Sequence, residues 1–178
     1  KREEQELRKL NRALRALSGS NQALVRVAEE SNLIREICRV LVEVARYRLA
    51  WVGFAEQDDD KTIRPIAHAG CEEGYLETVK LTWADSPRGH GPAGMAIRAG
   101  QPSAVRNIHT EPAFRPWREE ASRRGYASCL GLPLTTDTQT FGVLCIYSTE
   151  PDAFDEEELQ LLTQLAQNLA YGIRASRV

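Results

Sequence analysis

Three glycines raise the first question of chemistry. Gly89, Gly91 and Gly94, in "GHGPAGMAIRAGQP" (residues 89–102), spell G-x-G-x-x-G. That is the spacing with which a dinucleotide loop brings backbone amides to a pyrophosphate. The chemistry needs a buried strand before the glycines, a long helix after them and an acid ~20 residues on to hold the ribose. Here "WADSPR" precedes them, polar and interrupted by Pro87. The following helix can run only from Pro92 to Ala99 before Gly100 and Pro102 end it, and Glu111 stands before a proline in a loop. The context excludes a nucleotide loop. The glycines have a mechanical use instead. Pro92 suits a first helical turn, small Gly94 and Ala96 let the helix lie close to a sheet, and Gly100 can end it left-handed. A short helix across a sheet roofs a hollow, and the amides of Ala93 and Gly94 at its start would suit an anionic group.

Other reactive residues are sparse. Cys38, Cys71, Cys129 and Cys145 are widely spaced and form no C-x-x-C pair, which reads as a reduced chain with mostly buried thiols. Cys145, within "VLCIY", and Cys38, on a helix face, read as core. His68, His90 and His109 stand at no metal spacing from Cys or carboxylates. No serine or cysteine sits in a nucleophile motif. Trp51, Trp83, Met95, Trp117 and Tyr126 are candidate walls of an apolar pocket; ordinary core packing is the alternative, favoured for Trp51. Arg118, with Arg115 beside it, sits in a loop segment and would pair with a ligand carboxylate or phosphate. Glu111, Glu119 and Glu120 nearby also fit a solvated mixed-charge surface.

The totals bound the class. A chain of 178 residues, 42% hydrophobic and 27% charged, is one ordinary domain. A net charge of −2 gives no electrostatic case for nucleic acid or an anionic membrane, and the Arg123–Arg124 pair is too short and too neutralised for a nucleic-acid patch. No apolar run approaches the ~20 residues of a membrane span, and "KREEQELRKL" at the start is no signal peptide. The expectation is a cytoplasmic segment without membrane insertion. The only methionine is Met95, so an excised piece of a longer polypeptide is also expected.

The elements that must position these residues follow from periodicity. Leu7, Leu10, Leu14, Leu17, Asn21, Leu24 and Ala28 step by threes and fours, an a/d seam with Asn21 at an a-like position. This reads as an amphipathic helix that dimerises. A helix packed on its own domain is the alternative, and "SGSN" (residues 18–21) interrupts the pattern, with Ser20 able to cap a fresh helix. A second helix starts near Ser31 and ends near Tyr47. Residues 49–56 and 62–70 read as a hairpin, with Pro65 marking an edge. A short strand is expected near 79–81 and another within 101–108, then a short helix ending at Gly125. "SCLGLPLTT" and "TFGVLCIYS" form a second hairpin. A last helix is capped by Asp155, with Leu162, Leu165, Leu169 and Ile173 as its seam. Hairpins with covering helices make an α+β domain on an antiparallel sheet.

"RLAWVGFAE", "GPAGMAIRAGQPSAVRNI", "SCLGLPL" and "FGVLCIYSTEPDAFDEEELQLLTQLAQNLAYGI" together resemble a bacterial GAF domain, of the type found in sensor histidine kinases and diguanylate cyclases. The resemblance spans roughly residues 21–173. It implies a central antiparallel sheet of about six strands, terminal helices bundled on one face and a ligand pocket on the other. Of the cyclic-nucleotide signature Asn-Lys-Phe-Asp-Glu only "FDEEE" comes near, and it is better explained as a helix cap. Covalent bilin is not expected, because Cys129 is followed by Leu130 rather than His. Haem is not expected either; His68, His90 and His109 are its only candidate ligands, and a satisfied or surface role suits His68, on a strand, better. Free methionine-(R)-sulfoxide reductases are GAF-like but use cysteines at closer spacing than this chain has.

The resulting expectation is a sensory domain, residues 20–178, preceded by a helical linker, residues 1–19. It binds an unidentified small molecule through Trp51, His68, Trp83, Ala93, Gly94, Met95, Trp117, Arg118, Tyr126 and Cys129. It dimerises through Leu7, Leu10, Leu14, Leu17, Asn21, Leu162, Leu165 and Leu169, and relays a signal to flanking sensor or output domains outside this segment. A dimerisation scaffold without ligand is the alternative, and a pocket packed shut would favour it; a methionine sulfoxide reductase is a third reading.

Overall fold

The computed structural model describes residues 2–177. Helix α1 (Arg2–Arg26) runs straight through "SGSN", so the 19/20 boundary falls inside a continuous helix. Gly19 has a packing reason. A Cβ there would stand 2.6 Å from Val40 Cγ1, so the bare backbone lets α1 cross close over the chain that follows α2. Helix α2 (Glu30–Arg39) buries Leu33, Ile34, Ile37 and Cys38 and ends in a π-helical turn, Val40–Val44. Its cap is Glu29 rather than Ser31. Ser31 Oγ and Asn32 Nδ2 donate instead to the Glu29 carboxylate, at 2.6 and 2.7 Å.

Strands β1 (Leu49–Ala55) and β2 (Ile63–Gly70) form the first hairpin. After them come α3 (Tyr75–Thr78), a 3-10 turn at Pro87–Gly89, and α4 (Pro92–Ala99), which Gly100 ends at φ 66°. Strand β3 (Ser103–Val105), a 3-10 segment (Pro112–Trp117) and α5 (Arg118–Arg123) lead to the hairpin of β4 (Ser128–Thr135) and β5 (Thr140–Ser148). Helix α6 (Glu156–Ser176) starts at Asp155, whose side chain accepts from the Glu158 amide at 2.9 Å. The strand order is β2-β1-β5-β4-β3, every pairing antiparallel. Five strands stand where about six were expected. The stretch near 79–81 supplies only a bridge between Thr62 and Thr82 and one bond, Ile63 N–H to the Leu81 carbonyl at 3.2 Å. Pro65 lies on edge strand β2, where its missing N–H breaks no ladder.

Alternation along the strands divides the interior into two cores. Ala50, Val52, Leu132, Leu144 and Ile146 face α1, α2 and α6; Leu49, Trp51, Cys129, Val143, Cys145 and Tyr147 face α4 and the irregular segments. The helix-side core corrects part of the expected dimer seam. Leu162, Leu165 and Leu169 are fully buried against the chain's own sheet and helices, so no second copy can reach them. The α1 seam is divided as well. Ala13, Ala16, Ser20 and Ala23 are the fully buried residues of α1, and Leu17 and Leu24 pack half-buried on the same core. Leu10 is half-buried, while Leu7, Leu14 and Asn21, seven apart, remain exposed. Asn21 Oδ1 accepts from Asn168 Nδ2 of α6 at 3.0 Å.

Candidate functional site: a hollow beneath helix α4

Helix α4 lies across β4 because glycines remove what would hold it off. A Cβ on Gly131 would come 2.5 Å from the Pro92 carbonyl oxygen, and one on Gly94 would come 2.3 Å from the Gly89 carbonyl. The glycines that mimic a nucleotide loop therefore serve close approach. The helix's first hydrogen bond runs from Met95 N–H to the Gly91 carbonyl, 3.0 Å. Pro92 has no N–H, so the amides of Ala93 and Gly94 are left ahead of it without an intrahelical acceptor.

Beneath α4 is a hollow walled by Trp51, Ile63, Tyr75, Phe114, Trp117 and Tyr147, with Leu81, Thr82 and Arg88 towards the outside and Gly91 to Gly94 above. The volume open to the centre of a water molecule is about 20 Å³, room for a single water. The walls brace one another: Trp51 Nε1 donates to the Tyr147 hydroxyl at 3.3 Å, and Tyr75 meets Tyr126 and Tyr147 edge-on. Burial pushes the Tyr75 and Tyr147 phenols well above their ordinary range, so both stand neutral. Trp117 packs so closely on the start of α4 that a Cβ on Gly91 would lie 2.5 Å from its ring. Its Nε1 is buried without a hydrogen-bond partner.

Outside the hollow lies a groove of about 750 Å³ that shares Ile63, Leu81, Thr82 and Arg88 with it. The shared segment is tied down at several points. Arg98 Nη1 donates to the carbonyls of Trp83, Ala84 and Gly89 at 2.9, 2.7 and 2.7 Å. Trp83 Nε1 donates to the Glu56 carbonyl at 2.9 Å, and Lys61 Nζ lies 4.5 Å above the Trp83 ring.

Of the expected ligand residues, Trp51, Ala93, Gly94 and Trp117 meet around the hollow. The others have different roles. His68 sits half-exposed on edge strand β2, its Nε2 3.9 Å from Glu72. Trp83 anchors the outer segment as described. Met95 is on the outward side of α4, 39% exposed. Arg118 braces its own loop, donating to the carbonyls of Ile108 (3.0 Å) and Glu111 (2.8 Å). Tyr126 is buried behind Tyr75 and donates to the Cys71 carbonyl. Cys129 belongs to the core under the hollow, and burial holds its thiol well above the ordinary range. Sequence reading missed Tyr147, Tyr75, Phe114 and Arg88. Tyr147 had a signal: it alternates with Val143 and Cys145 on the strand beside Trp51. The other three lie in or next to short irregular turns, where no periodicity reports which way a side chain faces.

Among the described residues no group of three or more His, Cys, Asp or Glu side chains converges as a metal site, and no helix is long and apolar enough to cross a membrane.

The β3–β4 side of the sheet is tied to α1 through the β5–α6 loop. Asp152, in the β5–α6 loop, is bound to Arg106 beyond β3 through its amide (2.7 Å) and carboxylate (3.1 Å). Ser128 Oγ, at the start of β4, donates to the Glu150 carbonyl at 2.6 Å. From the other side, α1 grips the same loop: Arg8 meets the Glu150 carboxylate at 2.6 Å and Lys9 Nζ donates to the Asp152 carbonyl at 2.8 Å.

Comparison with known proteins fits this architecture. The fold is similar to that of a GAF domain from a phosphoenolpyruvate-protein phosphotransferase of Coxiella burnetii, with TM-score 0.76, 21% identity, and 94% of this chain and 96% of that one covered. It is similar to free methionine-R-sulfoxide reductase from Neisseria meningitidis, solved with its substrate, with TM-score 0.74, 20% identity and coverage of 93% and 90%. It is also similar to a domain of a two-component sensor histidine kinase protein from Sinorhizobium meliloti, with TM-score 0.64, 20% identity and coverage of 83% and 92%. A search of curated protein sequences finds no match. The family model for the GAF domain matches residues 27–174, and the chain belongs to the GAF domain family.

Proposed function

We propose that this GAF domain is a regulatory sensor: a small molecule enters the hollow beneath α4, and the response passes to α1 and α6 and from them to flanking domains. One observation carries the reading. The hollow is built of rigid aromatic walls with unused hydrogen-bond donors at the start of α4, and it leads directly to a wide outer groove. Entry of anything larger than water requires the segment 81–88 to swing out, against the bonds from Arg98. The β5–α6 loop, held by Arg106 and Ser128 on one side and by α1 on the other, supplies the contact for the relay. Two states of such a packed interface would bias an attached output domain. Dimerisation through the exposed stripe of Leu7, Leu14 and Asn21 would put two such helices in register.

A catalytic role fits the geometry less well. Similarity to the reductases raises it, but Cys38, Cys129 and Cys145 are buried, and burial pushes the Cys38 thiol up to about 12. Thiolate chemistry needs the opposite shift. The scaffold reading has one specific observation in its favour, the hollow's small free volume of about 20 Å³. Purified protein distinguishes the three. A metabolite that co-purifies and is released on unfolding, identified by mass spectrometry, supports the sensor. An empty hollow that no metabolite fraction perturbs supports the scaffold. Turnover of methionine sulfoxide coupled to thioredoxin and NADPH would establish the enzyme.

A further inference from the structure

We propose that the ligand of the hollow is a small organic anion, a carboxylate or phosphate carried on a compact apolar body. The proposal rests on the reading of the hollow as a ligand site and adds the chemical class.

The lining is one-sided in charge. No aspartate or glutamate is among the residues around the hollow, and Arg88 is its one formally charged side chain. Arg88 reaches both the hollow and the outer groove, and among the described residues it forms no ion pair. The hydrogen-bonding groups are also one-sided. Thr82 Oγ1 already donates to the carbonyls of Asp60 and Lys61, and Trp51 Nε1 already has the Tyr147 hydroxyl. Apart from the Tyr75 and Tyr147 hydroxyls, which can donate or accept, what remains is donors. The amides of Ala93 and Gly94 stand at the positive end of the α4 dipole. The Trp117 indole, 5% exposed, lines the hollow with its six-membered ring against Gly91, and its Nε1 hydrogen has no acceptor. An unpaired buried donor is costly, and an acceptor-rich ligand filling the hollow would offer partners both to the amides at the start of α4 and to the indole that lines it. A cation would find no counter-charge here, and a neutral body without acceptors would leave the donors unpaired. The aromatic rings of Trp51, Phe114 and Trp117 offer the apolar contact for the rest of the molecule.

The expected geometry is an oxyanion at the start of α4, with Arg88 closing the mouth as a charge-assisted partner. The two probes are phenylacetate and its neutral isostere phenylacetamide, titrated into ¹⁵N-labelled protein. Two-dimensional NMR follows the amides of Ala93 and Gly94 and the indole N–H of Trp117. The expected result is saturable shifts of all three signals with phenylacetate and at least tenfold weaker binding of the amide. The Arg88→Gln variant should weaken phenylacetate about tenfold, as loss of a charge-assisted hydrogen bond does, and leave the amide unchanged. Arg88 is exposed and unpaired, so this variant keeps its fold. Equal binding of acid and amide at these signals would overturn the anion proposal while leaving a ligand site in place. No shift at these signals with either probe up to millimolar concentration would overturn both and support the scaffold.

Discussion

Arg12 Nε of α1 lies 2.7 Å from Glu158 Oε2 of α6, although 146 positions separate them in the chain. The Glu158 side chain has no solvent exposure. Tyr47, which leads into β1, donates its hydroxyl to the same carboxylate oxygen, and the Arg12 guanidinium lies 4.6 Å above the Tyr47 ring. One buried carboxylate thus joins the helix that enters the domain, the helix that leaves it and the approach to the central sheet. Arg12→Met removes the counter-charge and leaves Glu158 buried with Tyr47 alone. Breaking a buried pair from one side costs about 3–5 kcal/mol. The double variant R12M/E158L, with no charge left to bury, should recover most of that loss. Urea unfolding of the two variants and the parent checks both statements. Equal losses in the single and double variants would mean that the charge pair is not what holds α1 down.

The same carboxylate sets a pH dependence. Burial pushes Glu158 above the ordinary carboxylate range, and the hydrogen bonds from Arg12 and Tyr47 draw it only part of the way back. The folded state therefore holds this proton more tightly than the unfolded chain does. As pH rises from the ordinary carboxylate value towards the raised one, the unfolded chain loses the proton first, and stability falls. Glu158→Gln cannot titrate. The parent should lose stability relative to this variant as pH rises above the ordinary carboxylate value of about 4.3, read as urea midpoints at each pH. A gap that moves the other way would mean a depressed carboxylate and a net favourable ion pair.

Thiol chemistry divides the four cysteines by place in the fold. Cys71, after β2, is the one that is not buried; partial burial, and then the Glu73 carboxylate oxygen 3.2 Å from its Sγ, raise its thiol. The other three are enclosed in the two cores. Native protein treated with a thiol-specific chromogenic reagent at pH 8 should give one slow equivalent from Cys71, and the other three only on unfolding, since exposure and thiolate content govern the rate. The Cys71→Ser variant should give none in the native state. Fast reaction of Cys129 or Cys145 would reveal an opening of the sheet's pocket side and revive the reductase reading.

The two hairpins, α4 and the capped start of α6 were legible because each rests on local chemistry. Alternation fixes strand faces, Pro92 and Gly100 bracket a helix, and Asp155 caps one. The wall of the hollow was legible only in part. Trp51 follows from strand alternation and Trp117 from its aromatic bulk, but Phe114 and Tyr75 are positioned by the 3-10 segment and α3, whose orientation depends on tertiary contacts. Arg118 was drawn into the candidate site by its charge and its place in a loop, and His68 by residue type. One is consumed by two loop carbonyls, and the other stands on an edge strand beside Glu72. Periodicity gave the seams of α1 and α6 but could not say which core they serve. A heptad pattern is the same whether the partner is another copy or the chain's own sheet.

That ambiguity determines how dimerisation has to be tested. Deleting residues 1–19 would remove Ala13 and Ala16, both fully buried, and Arg12 with its hold on Glu158. The domain would lose stability whether or not it associates, so truncation cannot isolate an interface. The exposed stripe can. Leu7 and Leu14 are 60% and 45% exposed and one heptad apart on α1. Leu7→Lys with Leu14→Lys places four like charges in a two-stranded seam but disturbs little in a single chain, where surface changes stay within about 0.5 kcal/mol. Sedimentation equilibrium should show the parent as a dimer and the double variant dissociating at least tenfold more readily, with its urea midpoint nearly unchanged. A parent that sediments as a monomer at high concentration would remove α1 from the relay and leave its seam as packing for its own domain.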